Sequence, residues 1–139
     1  MVDANNNRIQ IFNSQGLFRR KFGSEGDGNG EMNRPLGVGL LSNGNIVVSE
    51  QHGNRLQILD FQGNFVRIVG AGPWHLFVDS DDNILVADSN NSRIQIFHQN
   101  GYLFKTIGTR QLSCPIGICM DREGRIIVSE NGTHRVSIF

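Results

Sequence analysis

Apolar residues in this chain come in short runs, each closed by a cluster of turn-forming residues. Leu36 to Leu41, Ile46 to Ser49, Leu56 to Leu59 and Phe65 to Val69 are apolar or alternate apolar with small and polar positions. Ser42-Asn43-Gly44, Gln51-His52-Gly53-Asn54 and Gln62-Gly63 separate them. Runs of this length bounded by Gly, Asn and Ser read as strands joined by tight hairpins. No stretch of a dozen residues carries the three-four apolar spacing of a helix, so the pattern predicts almost no helix.

The pattern recurs. An acid, four residues, an arginine and an aliphatic-polar-aliphatic strand start appear as DANNNRIQIF, EQHGNRLQIL, DSNNSRIQIF and ENGTHRVSIF. Pro35, Pro73 and Pro115 each precede Ile46, Ile84 and Ile126 by 11 residues, and Arg8, Arg55 and Arg93 each precede Gly23, Gly70 and Gly108 by 15. Four units follow, at approximately 1–23, 35–70, 73–108 and 115–139. Length varies only in the connectors, where loops tolerate it. The period is near the roughly 40 to 45 residues of a four-stranded propeller blade.

The predicted fold class is therefore all-β: a β-propeller of four-stranded antiparallel blades occupying residues 1–139, with two full and two partial blades. A single blade cannot bury both of its faces, so Ile46, Val47, Val48, Ile84, Leu85, Val86, Ile126, Ile127 and Val128 are expected as core between blades. Rings of this kind close with about 4 to 8 blades. The incomplete outer units lead to the expectation of a piece of a longer propeller, with self-association of two copies through open blade edges as the alternative.

The segments VADSNNSRIQIF, VSEQHGNRLQIL and VSENGTHRVSIF, with the glycine-rich connector GSEGDGNGEMNRPLGV, resemble NHL-repeat β-propellers over essentially the whole chain. The match is greatest to the C-terminal domain of tripartite-motif (TRIM-NHL) proteins, and the position before the arginine varies among Asn, Ser and His. The resemblance implies a six-bladed ring and a non-catalytic recognition platform that binds protein, or single-stranded or hairpin RNA, on one face. It also implies that the parent protein is a ubiquitin ligase or post-transcriptional regulator whose other domains lie elsewhere. The alternatives are a protein-protein scaffold with no RNA role, and a propeller enzyme similar to the amidating lyase that shares this fold. The lyase holds zinc through converging histidines, whereas only His75 falls on an inferred inner strand here, so the metal ligands would have to lie outside these blades.

Charge adds a constraint. Thirteen basic residues balance thirteen acidic ones, so bulk charge gives no support to a strong phosphate binder and any nucleic-acid site must be a local patch. No run of 18 apolar residues and no charged leader ahead of an apolar segment is present, which leads to an expectation of no membrane association and a cytoplasmic location. Cys114 and Cys119 are the only cysteines, and the second falls in the apolar run Ile116 to Met120, where a buried reduced thiol is expected.

The turns between second and third strands share a face with the connectors, which brings Arg34, His52, Trp74, His75 and Arg110 toward it as candidate ligand residues. Aromatic rings and guanidinium planes are what unstacked bases stack on. Trp74 has an equally plain reading as a wedge filler beside the channel. His75 stands where the other units have Gly37 and Gly117, and such departures from a repeat are where function enters. The pairs Asp3–Arg8, Glu50–Arg55, Asp88–Arg93 and Glu130–Arg135 are expected to be structural, each guanidinium bridging its carboxylate and loop carbonyls. No nucleophile elbow, metal-binding helix or phosphate loop is present, so no catalytic, cofactor or metal residue is assigned. The run Asp79-Ser80-Asp81-Asp82-Asn83 lacks the glycine and the closing glutamate of a calcium loop and reads as a hairpin turn.

Overall fold

The computed structural model describes residues 1–71 and 74–139. Pro73, which marks the start of the third unit, lies outside them. The strands are β1 (Val2–Asp3), β2 (Arg8–Phe12), β3 (Phe18–Phe22), β4 (Pro35–Leu40), β5 (Ile46–Glu50), β6 (Arg55–Leu59), β7 (Phe65–Ala71), β8 (Leu76–Val78), β9 (Ile84–Asp88), β10 (Arg93–Phe97), β11 (Leu103–Ile107), β12 (Pro115–Met120), β13 (Ile126–Glu130) and β14 (Arg135–Ile138). Helical structure among the described residues is limited to two single 3₁₀ turns, Ala4–Asn6 and Ser89–Asn91.

The strands form four antiparallel sheets in sequence order: β1-β2-β3, β4-β5-β6-β7, β8-β9-β10-β11 and β12-β13-β14. Each sheet is one blade of a β-propeller. Register is copied from blade to blade: Glu50 faces Arg55 and Val48 faces Gln57 in the second, as Asp88 faces Arg93 and Val86 faces Gln95 in the third. A one-residue slip would carry Glu50 and Asp88 to the other face from Arg55 and Arg93, so the ion pairs and the short turns fix this register together.

Three apolar layers hold neighbouring blades together. Ile9 and its neighbours Val2 and Ile11 pack on Ile46, Val48 and Leu59. Val47, Leu56 and Ile58 pack on Leu76, Ile84, Val86 and Phe97. Leu85, Ala87, Ile94 and Ile96 pack on Ile126 and Val128. The central strands β5 and β9 are buried on both faces, which is why they read as unbroken apolar runs and not as alternation.

Two expectations need correction at the last blade. Ile118 and Met120 of β12 face the third blade, and Cys119 points the other way and is exposed. Ile127, its cross-strand partner, is half-buried for the same reason. No described sheet covers that face, where Val136 and Ile138 are also exposed. Both cysteines are free thiols.

Candidate functional site at the connector face

In the second and fourth blades the turn that joins the second and third strands is tied to the connector that precedes the blade. In the second blade the backbone amides of Gln51 and Gly53 bond the carbonyls of Arg34 and Asn33 at 3.0 and 3.4 Å. In the fourth, Asn131 and Gly132 bond Cys114 and Ser113 at 3.0 and 3.2 Å. The residue before each repeat arginine is left-handed, with φ of 50°, 48°, 50° and 51° at Asn7, Asn54, Ser92 and His134. Asn and His enter that region more readily than most side chains, which accounts for Asn7, Asn54 and His134 but not for Ser92.

The four acid–arginine pairs meet across these turns. Arg8 Nε lies 2.6 Å from Asp3, Arg55 Nε 2.9 Å from Glu50, Arg93 Nε 2.8 Å from Asp88 and Arg135 Nε 2.8 Å from Glu130. Arg55 also donates to the carbonyls of Asp27, Gly28 and Glu31, and Arg135 donates to that of Gln111. Each of these guanidiniums thus joins its own turn to the connector before it. Acid length decides the rest of the network. The longer Glu50 and Glu130 reach back to the connector amides of Asn33 (2.8 Å) and Ser113 (2.6 Å). The shorter Asp3 and Asp88 bond Asn6 and Asn91 within their own 3₁₀ turns.

Ion pairing and four donated hydrogen bonds favour the charged form of Glu130. Donation from Arg135, then from Ser137, Ser113 and Thr133, lowers its pKa to about 2 against an opposing effect of burial. Asp3 is also lowered, chiefly by Asn6 and Arg8.

Of the candidate ligand residues, Arg34 and His52 are brought together: Arg34 Nη1 stands 3.4 Å from His52 Nε2. Arg34 is left-handed (φ 55°), and its amide bonds Asn7 Oδ1 of the first blade at 2.8 Å, so it is held at the junction of two blades. Ala4, Asn5, Asn7, Glu25, Arg34 and His52 line a cavity of about 410 Å³ there. Glu25 lies outside the repeat motif and Asn7 stands in it as the residue before the arginine, and both reach the site only through the junction. Arg110 is exposed and left-handed (φ 67°) in the connector before the fourth blade. No described contact joins Arg110, Trp74 or His75 to the Arg34–His52 pair.

His75 and Trp74 extend the inner edge of the third blade: Trp74 N bonds Ala87 O at 3.0 Å and Ala87 N bonds His75 O at 2.9 Å. Trp74 is half-buried, His75 is exposed, and the Trp74 carbonyl accepts Ser49 Oγ of the second blade at 3.0 Å. In the second and fourth blades a serine hydroxyl accepts from the glycine amide opposite it, Gly37 to Ser49 (2.8 Å) and Gly117 to Ser129 (3.0 Å). A Cβ on Gly37 or Gly117 would fall 2.7 or 2.6 Å from that hydroxyl. The third blade carries His75 at the glycine position and Ala87 at the serine position, so the two departures from the repeat compensate each other.

The family model for the NHL repeat matches residues 71–97 and 112–139. This is an NHL-repeat chain. Its relatives include the B-box type zinc finger protein ncl-1 of Caenorhabditis elegans, 31% identical over 95% of this chain and 17% of that protein. The protein brain tumor of Drosophila melanogaster is 34% identical over 95% of this chain and 14% of its own length. The E3 ubiquitin-protein ligase TRIM71 of Rattus norvegicus is 44% identical over 36% of this chain and 6% of that protein. The NHL chain thus spans less than a fifth of the length of these relatives. Virginiamycin B lyase from Staphylococcus aureus shares the fold, with a TM-score of 0.74 at 18% identity over 99% of this chain and 50% of that one.

Proposed function

We infer that this chain is the non-catalytic recognition propeller of a TRIM-NHL-type post-transcriptional regulator or ubiquitin ligase, and that it binds single-stranded RNA on the connector face. The observation that carries the reading is electrostatic. Glu50, Asp88 and Glu130 are buried and paired with their arginines, and Asp3 is paired as well. Arg34 and Arg110 are exposed on the same face and make no ion pair among the described residues. The connector face thereby presents two cations free of ion pairs, one of them beside the His52 imidazole in a cavity that it shares with Glu25. Phosphate contacts supply affinity through counterion release, and aromatic and guanidinium planes supply stacking. The kinship with ncl-1, brain tumor and TRIM71 supports the same class of regulator.

Fluorescence anisotropy with a labelled oligouridine tests this. Binding should weaken with salt, and Arg34→Glu and Trp74→Ala should each reduce affinity about tenfold or more, since a lost stacked base is worth about 1–3 kcal/mol. Glu25→Gln should tighten binding by removing the carboxylate that shares the Arg34 cavity. Equal affinity in parent, Arg34→Glu and Trp74→Ala removes RNA from this face and leaves protein recognition as the reading.

A further inference from the structure

The opposite face, built by the turns that join first to second and third to fourth strands, carries a second concave site. It lies between the second and third blades, has a volume of about 540 Å³, and is lined by Asn43, Asn45, Val66, Arg67, His98 and Asn100 together with three further residues. It is the largest of the described cavities and no carboxylate lines it.

The repeat itself shows what is unusual here. Arg20, Arg67 and Lys105 each stand three residues before the closing glycine of their blade, opposite Ile11, Ile58 and Ile96. A cation in the middle of an outer strand ordinarily protects a sheet edge from pairing. Between the first and second blades that cation is occupied: Arg20 lies over the rings of Phe22 and Phe61 at 5.6 and 5.5 Å. In the same gap the turn residue Asp60 supplies a carboxylate, which accepts the amides of Gln62 and Asn64. Between the second and third blades both features are replaced. His98 takes the turn position of Asp60 and Gln99 takes that of Phe61, so the gap loses that acid and the ring that would cover Arg67, and the carboxylate it retains, Asp82, is taken up by the amide and hydroxyl of Ser42.

What remains is a set of donors. Arg67 donates once, to the Asn100 carbonyl at 3.1 Å, and makes no ion pair among the described residues. The side-chain oxygens of Asn43 and Asn100 accept the amides of Asn45 (2.9 Å) and Tyr102 (3.0 Å). Their NH₂ ends are thereby the groups left to a ligand. Val66 of the lining is exposed, and His98 stacks on the exposed Tyr102 and lies against the exposed Phe104, with ring centroids 6.2 and 5.1 Å away. The outer strands β3, β7 and β11 bear five cations and no acid.

We propose that this inter-blade cavity is a second recognition site, which takes a side-chain carboxylate of an acidic peptide that also carries apolar residues. Arg67 engages the carboxylate as a bidentate fork, the Asn43 and Asn100 amides donate to its free lone pairs, and the aromatic and aliphatic rim receives the flanking apolar side chains. The planar fork and amide donors match a carboxylate, and the apolar rim matches peptide side chains better than a sugar-phosphate chain.

The test is anisotropy of a fluorescein-labelled octapeptide of alternating Glu and Leu with the intact chain. Binding is expected, with affinity falling about tenfold or more in Arg67→Glu, in line with loss of a charge-assisted contact. Asn100→Asp keeps the acceptor that holds the turn and replaces only the outward donor with a carboxylate. It should weaken the peptide while leaving the thermal midpoint within a few degrees of the parent. Arg34→Glu, on the other face, should leave peptide affinity unchanged. The proposal is overturned if Arg67→Glu and Asn100→Asp bind as the parent does, if Arg34→Glu weakens the peptide equally, or if oligouridine competes at this site as well as the peptide.

Discussion

A carboxylate and a guanidinium five residues apart could serve phosphate binding or hold a turn, and burial separates the two uses. Glu50 is wholly buried and Arg55 is 14% exposed in side-chain terms, so Arg55→Ala strands a charge that connector carbonyls and amides were built around. Removing one partner of such a pair costs about 3 kcal/mol or more. Arg93, at 35% exposure, should cost less when replaced by alanine, because water can enter where its guanidinium stood and Asp88 keeps the donation from Asn91. Urea unfolding of the two variants should show this order, and equal midpoints would argue against the turn lock. Glu130 adds a pH dependence. Its pKa is lowered to about 2, so the stability it contributes is present above the ordinary glutamate range and is lost as pH falls toward 2. Glu130→Gln should therefore flatten the loss of stability between about pH 5 and pH 2, and an unchanged slope would place the acid transition elsewhere. The Asp–Arg and Glu–Arg motifs and the hairpin turns were legible in the sequence because their partners lie within one hairpin. Glu25, Asn7, Arg67 and Asn100 were not, since their neighbours come from another blade or its connector.

At the level of the blade, the replacement of glycine by His75 is matched by the replacement of serine by Ala87. Ala87→Ser alone puts a hydroxyl against the Cβ of residue 75, as the 2.6 to 2.7 Å approaches at Gly117 and Gly37 indicate. Overpacking of this kind costs about 1–3 kcal/mol. Ala87→Ser with His75→Gly should recover most of that loss, giving a coupling energy of about 1 kcal/mol or more in a double-mutant cycle. Strictly additive effects would show that the two positions are independent. Strand periodicity gave the element boundaries to within one or two residues. The inner strand of the third blade is the exception: β8 begins at Leu76 and not next to the proline, because Trp74 and His75 continue the pairing with Ala87 only through isolated hydrogen bonds. Alternation also misplaced Cys119, since an apolar strand has two faces and only one of them meets a neighbouring blade.

Across the whole molecule, stability is a sum of blades and the apolar layers between them. The layers centred on Val47, Leu85 and Val48 bury β5 and β9 on both faces, whereas β3, β11 and β14 are largely exposed. Hydrogen exchange should therefore be slowest in β5, β6, β9 and β10 and fastest in the outer strands, with protection falling toward the first and last sheets. Uniform protection along the chain would mean that the blades unfold as one unit. Ser42 and Asp82 add a polar tie between the second and third blades, the amide and hydroxyl of Ser42 donating to the carboxylate at 2.8 and 2.5 Å.

The sequence by itself determined the blade. Side-chain period, turn chemistry and the acid–arginine motif are all local, and a repeat presents each of them several times. What only the tertiary structure decided is what happens between blades: which cation is covered by a ring, which carboxylate is buried by a connector, and which amide is left with a free donor. Arg20 and Arg67 occupy the same place in the repeat and read alike in sequence. The residue that separates them belongs to the next blade, Phe61 in one gap and Gln99 in the other, and packing alone sets it beside its partner.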